Sequence, residues 1–279
     1  MADQREAEER FHASPVLLTP VAASLIISVL FAYLILDSQV IFPNVTPLPE
    51  MGLGPIANAL IFVVLTAFGA SMIYLFMKRK KKNLIRLLIG FAITVVTFFL
   101  SNVYLLMLFS LTTMADIELL AFLAAIIITV IVDLELFMFH NIGGELIILA
   151  LGGAIGTFLG AAIPTISAVL ILLFLAAYDV IAVFRGPVGK IAAEGLDYLR
   201  GLSFSFRDIQ MGLGDLTFYA MLAGHALIFF GPLASLGAMT GVLIGSFLSF
   251  KMLERKGMFP GLPFSIVLGL LGVLIAVVL

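Results

Sequence analysis

The stretch Leu172-Leu173-Phe174-Leu175-Ala176-Ala177-Tyr178-Asp179-Val180-Ile181-Ala182-Val183-Phe184 carries one charge, Asp179, and the next charge comes only at Arg185. A carboxylate near the centre of a membrane helix costs about 2.5–3.5 kcal/mol on insertion scales. Such a residue faces a protein interior rather than lipid. The surrounding chain puts the stretch inside a membrane. Of the 279 residues, 62% are hydrophobic and 11% charged. A soluble domain is about half apolar and a quarter charged, and no single soluble core hides this much apolar surface. A water-soluble enzyme and a disordered chain are both excluded. A β-barrel would need alternating segments of about ten residues, whereas the apolar runs here are long and continuous.

About twenty apolar residues cross the hydrocarbon core. The sequence predicts nine such spans, at 16–36, 56–77, 84–108, 117–139, 145–163, 166–184, 212–231, 233–250 and 262–279. The last is short, and the two around Pro164 are joined by almost no loop. The first has an acidic flank and a full span length, which fits an uncleaved helix better than a signal sequence. The expected fold is therefore an all-α polytopic membrane protein with nine transmembrane helices.

Under this reading all fifteen Lys and Arg residues fall on one side of the membrane. Arg5 and Arg10 precede span one. Lys78, Arg79, Lys80, Lys81, Lys82 and Arg86 lie between or just inside spans two and three. Arg185, Lys190, Arg200 and Arg207 follow span six, and Lys251, Arg255 and Lys256 follow span eight. The positive-inside rule then makes the N-terminus cytoplasmic and the C-terminus outside. The chain divides into 1–184 with spans one to six, a cytoplasmic loop 185–211, and 212–279 with spans seven to nine.

Other residue types exclude chemistries. The absence of Cys removes disulfides, thiol nucleophiles and Cys-ligated metals. The three histidines, His12, His140 and His225, form no His-Glu-x-x-His pair, so zinc-protease chemistry is not indicated. The outer loop 37–55 is rich in Pro and Gly and is expected to be irregular. Its Asn44-Val45-Thr46 tripeptide fits the glycosylation pattern but is followed by Pro47. Gly152, Gly156 and Gly160, and likewise Gly237, Gly241 and Gly245, recur every fourth residue. Small residues at that spacing let helix backbones approach closely.

Five acids lie within or beside spans: Asp133, Glu135, Glu145, Asp179 and Asp215. The first three sit where water, headgroups or basic loops reach them, and read as interfacial or structural. Asp179 lies six residues before Arg185, and Asp215 eight residues after Arg207. At 1.5 Å per helical residue, both lie roughly 9–12 Å from the charged edge. Two consecutive antiparallel spans thus offer one carboxylate each at about the same depth. Two close carboxylates cannot both ionise easily and share a proton. The ionised one can take a proton from water while the protonated one hydrogen-bonds a scissile carbonyl. Paired membrane acids also serve cation or proton transport. The acids alone leave both readings open.

The neighbouring residues carry a family resemblance. Tyr178-Asp179-Val180-Ile181-Ala182-Val183 resembles the sixth-helix motif of presenilins. Gly212-Leu213-Gly214-Asp215, with Phe218-Tyr219 after it, is similar to their seventh-helix Gly-x-Gly-Asp motif. Pro260-Gly261-Leu262-Pro263-Phe264-Ser265 resembles the Pro-Ala-Leu-Pro motif that opens their ninth helix. The three come in order on the expected helices, although only about thirty residues carry them. The family is that of presenilins and signal peptide peptidases, the intramembrane aspartyl proteases, and the short chain is most like a microbial presenilin homologue. Signal peptide peptidases resemble presenilins inverted in the membrane. The charge sorting and Arg185-Gly186-Pro187 favour the presenilin orientation.

The resemblance implies an intramembrane aspartyl endopeptidase with Asp179 and Asp215 as the catalytic pair. Tyr178, Gly212, Leu213, Gly214, Pro260, Gly261, Leu262 and Pro263 would support the site. Gly212 and Gly214 would leave room for a peptide, and the two prolines would free backbone carbonyls beside the acids. The family's Ala is Gly261 here, which keeps close approach but lowers rigidity and puts rate or cleavage position in question. Leu202-Ser203-Phe204-Ser205-Phe206 alternates with period two, as a strand does. Leu202, Phe204 and Phe206 would belong to a strand that captures an unwound substrate by edge pairing. His225, ten residues after Asp215, points away from it and reads as packing.

The reading needs no cofactor and no metal. Its partners are single-span membrane proteins or peptides as substrates and the lipid bilayer, with no nucleic acid; homo-oligomers and accessory subunits stay open. The location implied is the plasma membrane of a microbe. The alternatives are an ion-leak pathway or transporter using the same acids, and a prepilin-type peptidase, which shares only the Gly-x-Gly-Asp motif. A rhomboid-type serine protease fails for want of Gly-x-Ser-Gly.

Overall fold

The computed structural model describes residues 12–38, 40, 42–112, 116–139, 142–186, 201–206 and 209–279. Among these, a short 3₁₀ turn, Pro15–Leu18, leads into nine helices: α1 (Thr19–Ser38), α2 (Gly54–Lys78), α3 (Lys82–Ser110), α4 (Ile117–Phe137), α5 (Ile142–Ala162), α6 (Thr165–Phe184), α7 (Leu213–Phe230), α8 (Pro232–Lys256) and α9 (Leu262–Val278). Two strands, β1 (Ser203–Phe206) and β2 (Ile209–Gly212), stand before α7. Eight helices are long and apolar enough to cross a membrane, and the chain is a multi-pass integral membrane protein. The ninth, α9, has 17 residues and at 1.5 Å each reaches only about 26 Å.

Each predicted span has its helix, with two shifts of substance. α8 overruns its predicted end at residue 250 and continues to Lys256, because polar side chains do not stop a helix. Gly257 does, in the left-handed conformation at φ 73°. The second shift concerns Gly212, which ends the strand Ile209–Gly212 rather than opening span seven. The charges Arg5, Arg10, Lys190, Arg200 and Arg207, residue His140, and most of the loop 185–211 lie outside the described residues.

α7 occupies the centre, packed against α1, α5, α6, α8 and α9. It is buried over 67% of its most apolar stretch, against 6% for α2, and it is the least apolar of the eight long helices. Lipid is as apolar as leucine, so association rests on close fit and hydrogen bonds rather than on hydrophobicity. The glycine stripes supply the fit. A Cβ at Gly156 would strike Met221 N at 2.7 Å and Ala220 Cβ at 2.6 Å of α7. The stripe on α8 meets a second one that sequence inspection had not singled out: Gly237 lies against Gly272 of α9, and Gly241 against Leu268 and Gly269. Buried hydroxyls supply the bonds. Ser28 of α1 donates to the Ala220 carbonyl at 2.8 Å, and Thr157 of α5 donates to Ser28 Oγ at 2.8 Å. His225 binds the Gly160 carbonyl at 2.7 Å and Thr165 Oγ1 at 3.1 Å, tying α7 to α5 and α6.

The loop before α2 has no regular structure but is pinned. Asn58 of α2, fully buried, accepts from the Leu48 N–H and donates to the Leu48 carbonyl, both at 2.9 Å, and reaches Ser167 Oγ of α6 at 3.0 Å. Glu50 accepts from the Ser167 N–H at 3.1 Å. We expect Asn58→Leu, which keeps volume and strands both backbone groups, to cost about 3 kcal/mol. Thermal unfolding in detergent measures it.

Candidate active site

α6 and α7 bring Asp179 and Asp215 to one cavity of about 600 Å³. Asp179 sits in the last turns of α6. Asp215 sits in the first turn of α7, where the helix dipole favours a carboxylate. Gly212, extended at φ −76° and ψ 144°, joins β2 directly to α7. Helical rise therefore does not apply before Leu213, and the depth estimated by counting from Arg207 does not hold for Asp215. Both acids line that cavity.

The turn between α8 and α9 bridges them. The Leu262 N–H donates to Asp179 Oδ2 at 3.1 Å. Beside it, the place where a Gly261 Cβ would stand is 3.3 Å from Asp215 Oδ2 and 3.3 Å from Tyr219 Oη. The methyl of an Ala at 261 would press on both, so glycine leaves the space beside Asp215 less filled. The Gly261 carbonyl accepts Tyr219 Oη at 2.9 Å, with Ser265 Oγ at 3.1 Å and Ser249 Oγ at 3.4 Å on the same oxygen. Ser246 and Ser265 lie 3.0 Å apart behind it.

Tyr219, Ser246, Ser249 and Ser265 were not among the expected site residues. The signal was present: polar side chains recur inside apolar spans, and such residues face the protein interior. Because Tyr219 lies one turn beyond Asp215 and holds the segment that binds Asp179, we expect Tyr219→Phe to lower kcat of peptide cleavage by about 10–10²-fold with KM little changed. Steady-state kinetics beside a melting curve test this.

The other expected residues divide. Tyr178, Gly212, Gly214, Gly261, Leu262 and Leu202 line the cavity. Among the described residues the buried Tyr178 hydroxyl has no hydrogen-bond partner. Among the described residues a Cβ at Gly214 would meet only Phe218, at 4.0 Å. Leu213 is buried in the core; Pro260 stands in the α8–α9 turn and Pro263 in the first turn of α9, and neither lines the cavity. Among the described residues, Phe204 and Phe206 lie off the cavity: Phe204 is 2% exposed in the core, and its ring stacks on Phe206 at 6.4 Å.

The period-two stretch is a strand, and it has an unforeseen partner. β1 pairs antiparallel with β2, Ser203 opposite Gly212 and Phe206 opposite Ile209. The Leu213 N–H then donates to the Leu202 carbonyl at 2.8 Å. This hairpin presents Leu202, Ser203, Gln210 and Met211 to the cavity. Helix α2 closes another side with Thr66, Ala70 and Ile73. Among the described residues no three His, Cys, Asp or Glu side chains gather as a metal site.

The described residues form a nine-helix membrane fold. Two solved structures of a presenilin family intramembrane aspartate protease, one in space group C222 and one in P2, share it. They match with TM-scores of 0.67 and 0.64 at 19% and 20% sequence identity, over 95% of this chain and 99% and 96% of theirs. No protein-family model matches the sequence, and no curated protein does. The resemblance carried by three short motifs thus extends to the whole fold.

Proposed function

We propose that this protein is an intramembrane aspartyl endopeptidase that hydrolyses peptide bonds within or near transmembrane helices. One observation carries the reading: Asp179 and Asp215, from separate helices, enter one cavity and both meet the Gly261–Leu262 segment. The shared fold supports it.

In this reading one carboxylate takes a proton from water as the water oxygen adds to the scissile carbonyl carbon. The other carboxyl gives its proton to the carbonyl oxygen, so that a gem-diol forms. The resulting diol collapses, the C–N bond breaks, and the amine leaves with the proton taken from water. The second carboxylate takes a proton back from a diol hydroxyl in the same collapse, so both acids end each turnover in their starting protonation states. A helical substrate must first unwind, since its backbone groups are already paired, and the β1–β2 hairpin beside the acids offers an edge for the unwound segment. The substrate class is single-span membrane proteins or peptides, with their N-termini outside, and the protease has its own N-terminus in the cytoplasm of a microbe.

The test is incubation of the detergent-purified protein with a model single-span peptide and mass spectrometry of the products. New termini within the span support the reading. Intact peptide, together with ion flux from liposomes holding the same protein, overturns it in favour of a transport pathway.

A further inference from the structure

We propose that the turn joining α2 to α3 is a binding site for anionic phospholipid headgroups. Six of the nine residues from 78 to 86 are cationic: Lys78, Arg79, Lys80, Lys81, Lys82 and Arg86. All six are exposed. Among the described residues, no acid pairs with Lys78, Arg79, Lys80, Lys81 or Arg86.

The other described basic cluster, at the end of α8, differs. There Lys251 lies 5.3 Å from the centre of the Phe247 ring, Lys256 lies 5.8 Å from that of Phe259, and Glu254 stands between them, 2.9 Å from His12. Two of the three cations in that cluster thus lie over aromatic rings and an acid stands among them, while residues 78–86 hold six cations and no acid.

Backbone conformation points the same way. Lys80 adopts φ 55°, a left-handed conformation that glycine takes freely and a side chain resists. The α8 helix ends on such a residue as well, and there it is Gly257. At α2 a lysine holds the position, so charge is kept at the expense of backbone ease. The turn's N–H groups fold back onto the last turn of α2, Lys81 on the Phe76 carbonyl at 3.0 Å and Lys80 on that of Met77 at 2.8 Å.

Depth selects the ligand. Met77 and Ile85 on either side are buried in the protein core, and both helices are apolar up to the turn. The linker between α2 and α3 is only Arg79–Lys81, too short to lift the charges clear of the bilayer. The cations are thus held at headgroup level. Clusters of four to eight cations beside a membrane helix attract anionic lipid, with affinity changing about fivefold per charge.

The test uses the full chain in nanodiscs of phosphatidylcholine with and without phosphatidylglycerol. Amine labelling read by mass spectrometry should slow at Lys78, Lys80 and Lys81 only when phosphatidylglycerol is present, and recover in high salt. Lys251 and Lys256 serve as internal controls. By native mass spectrometry, Lys78→Gln with Lys80→Gln and Lys81→Gln should lose retained phosphatidylglycerol by roughly 10²-fold, whereas the same three changes to Arg should keep it. Equal labelling in both bilayers overturns the proposal, as does unchanged retention in the Gln variant. Equal protection by inorganic phosphate in phosphatidylcholine alone also overturns it, since the site would then take any phosphate.

Discussion

Asp179→Asn and Asp215→Asn are each expected to abolish peptide cleavage, lowering kcat by about 10²–10⁴-fold or more. Asn matches Asp in shape. At 179 its oxygen can still accept the Leu262 N–H that now reaches Asp179 Oδ2 at 3.1 Å, so the turn that bridges the acids stays in place. What Asn cannot do is accept a proton from water or give one to a carbonyl oxygen. Either change alone therefore removes a proton site that the other acid cannot replace. The measurement is product formation from a single-span peptide, with chromatographic profile and melting temperature unchanged. Cleavage persisting in both variants would eliminate the pair as the reacting groups.

The largest structural effect is expected at Gly241→Val. A Cβ there would fall 2.7 Å from Gly269 N and against the Leu268 carbonyl, all backbone of α9. No side-chain rotation relieves such a clash, so α8 and α9 must separate. Overpacking of this kind costs about 3 kcal/mol or more. The consequence reaches the active site, since α9 begins at Leu262, whose N–H meets Asp179, and since Ser249 of α8 supports the Gly261 carbonyl. The variant should lose both melting temperature and cleavage. Gly69→Ala on α2 is the counterpart. Among the described residues a Cβ there meets nothing within 4 Å, and Ala gains about 0.5–1 kcal/mol over Gly in a helix interior. A loss at Gly69 as large as that at Gly241 would mean that the stripe has no special role.

Hydropathy placed nine spans within a few residues of their helices, because the transfer energy of each residue is its own and needs no partner. The same logic misplaced the end of α8, where Leu253 through Lys256 stay helical outside the apolar run and Gly257 ends the helix. The strand Ser203–Phe206 was legible from its alternation. Its partner Ile209–Gly212 was not, because Ile209, Met211 and Leu213 merge with the apolar start of α7 and the pairing is set by β1.

What the sequence determined by itself is membrane residence, the number and order of the helices, and two acids too costly for lipid. Each follows from local chemistry: apolar length, one carboxylate per span, glycine every fourth residue. The tertiary structure decided which backbones meet, that Gly237 lies against Gly272 and Gly156 against α7. It also decided that Tyr219, Ser249 and Ser265 converge on one carbonyl, and that Phe204 turns into the core while Leu202 faces the cavity. These depend on contacts between residues far apart in the chain, whose energy exists only once the helices are packed.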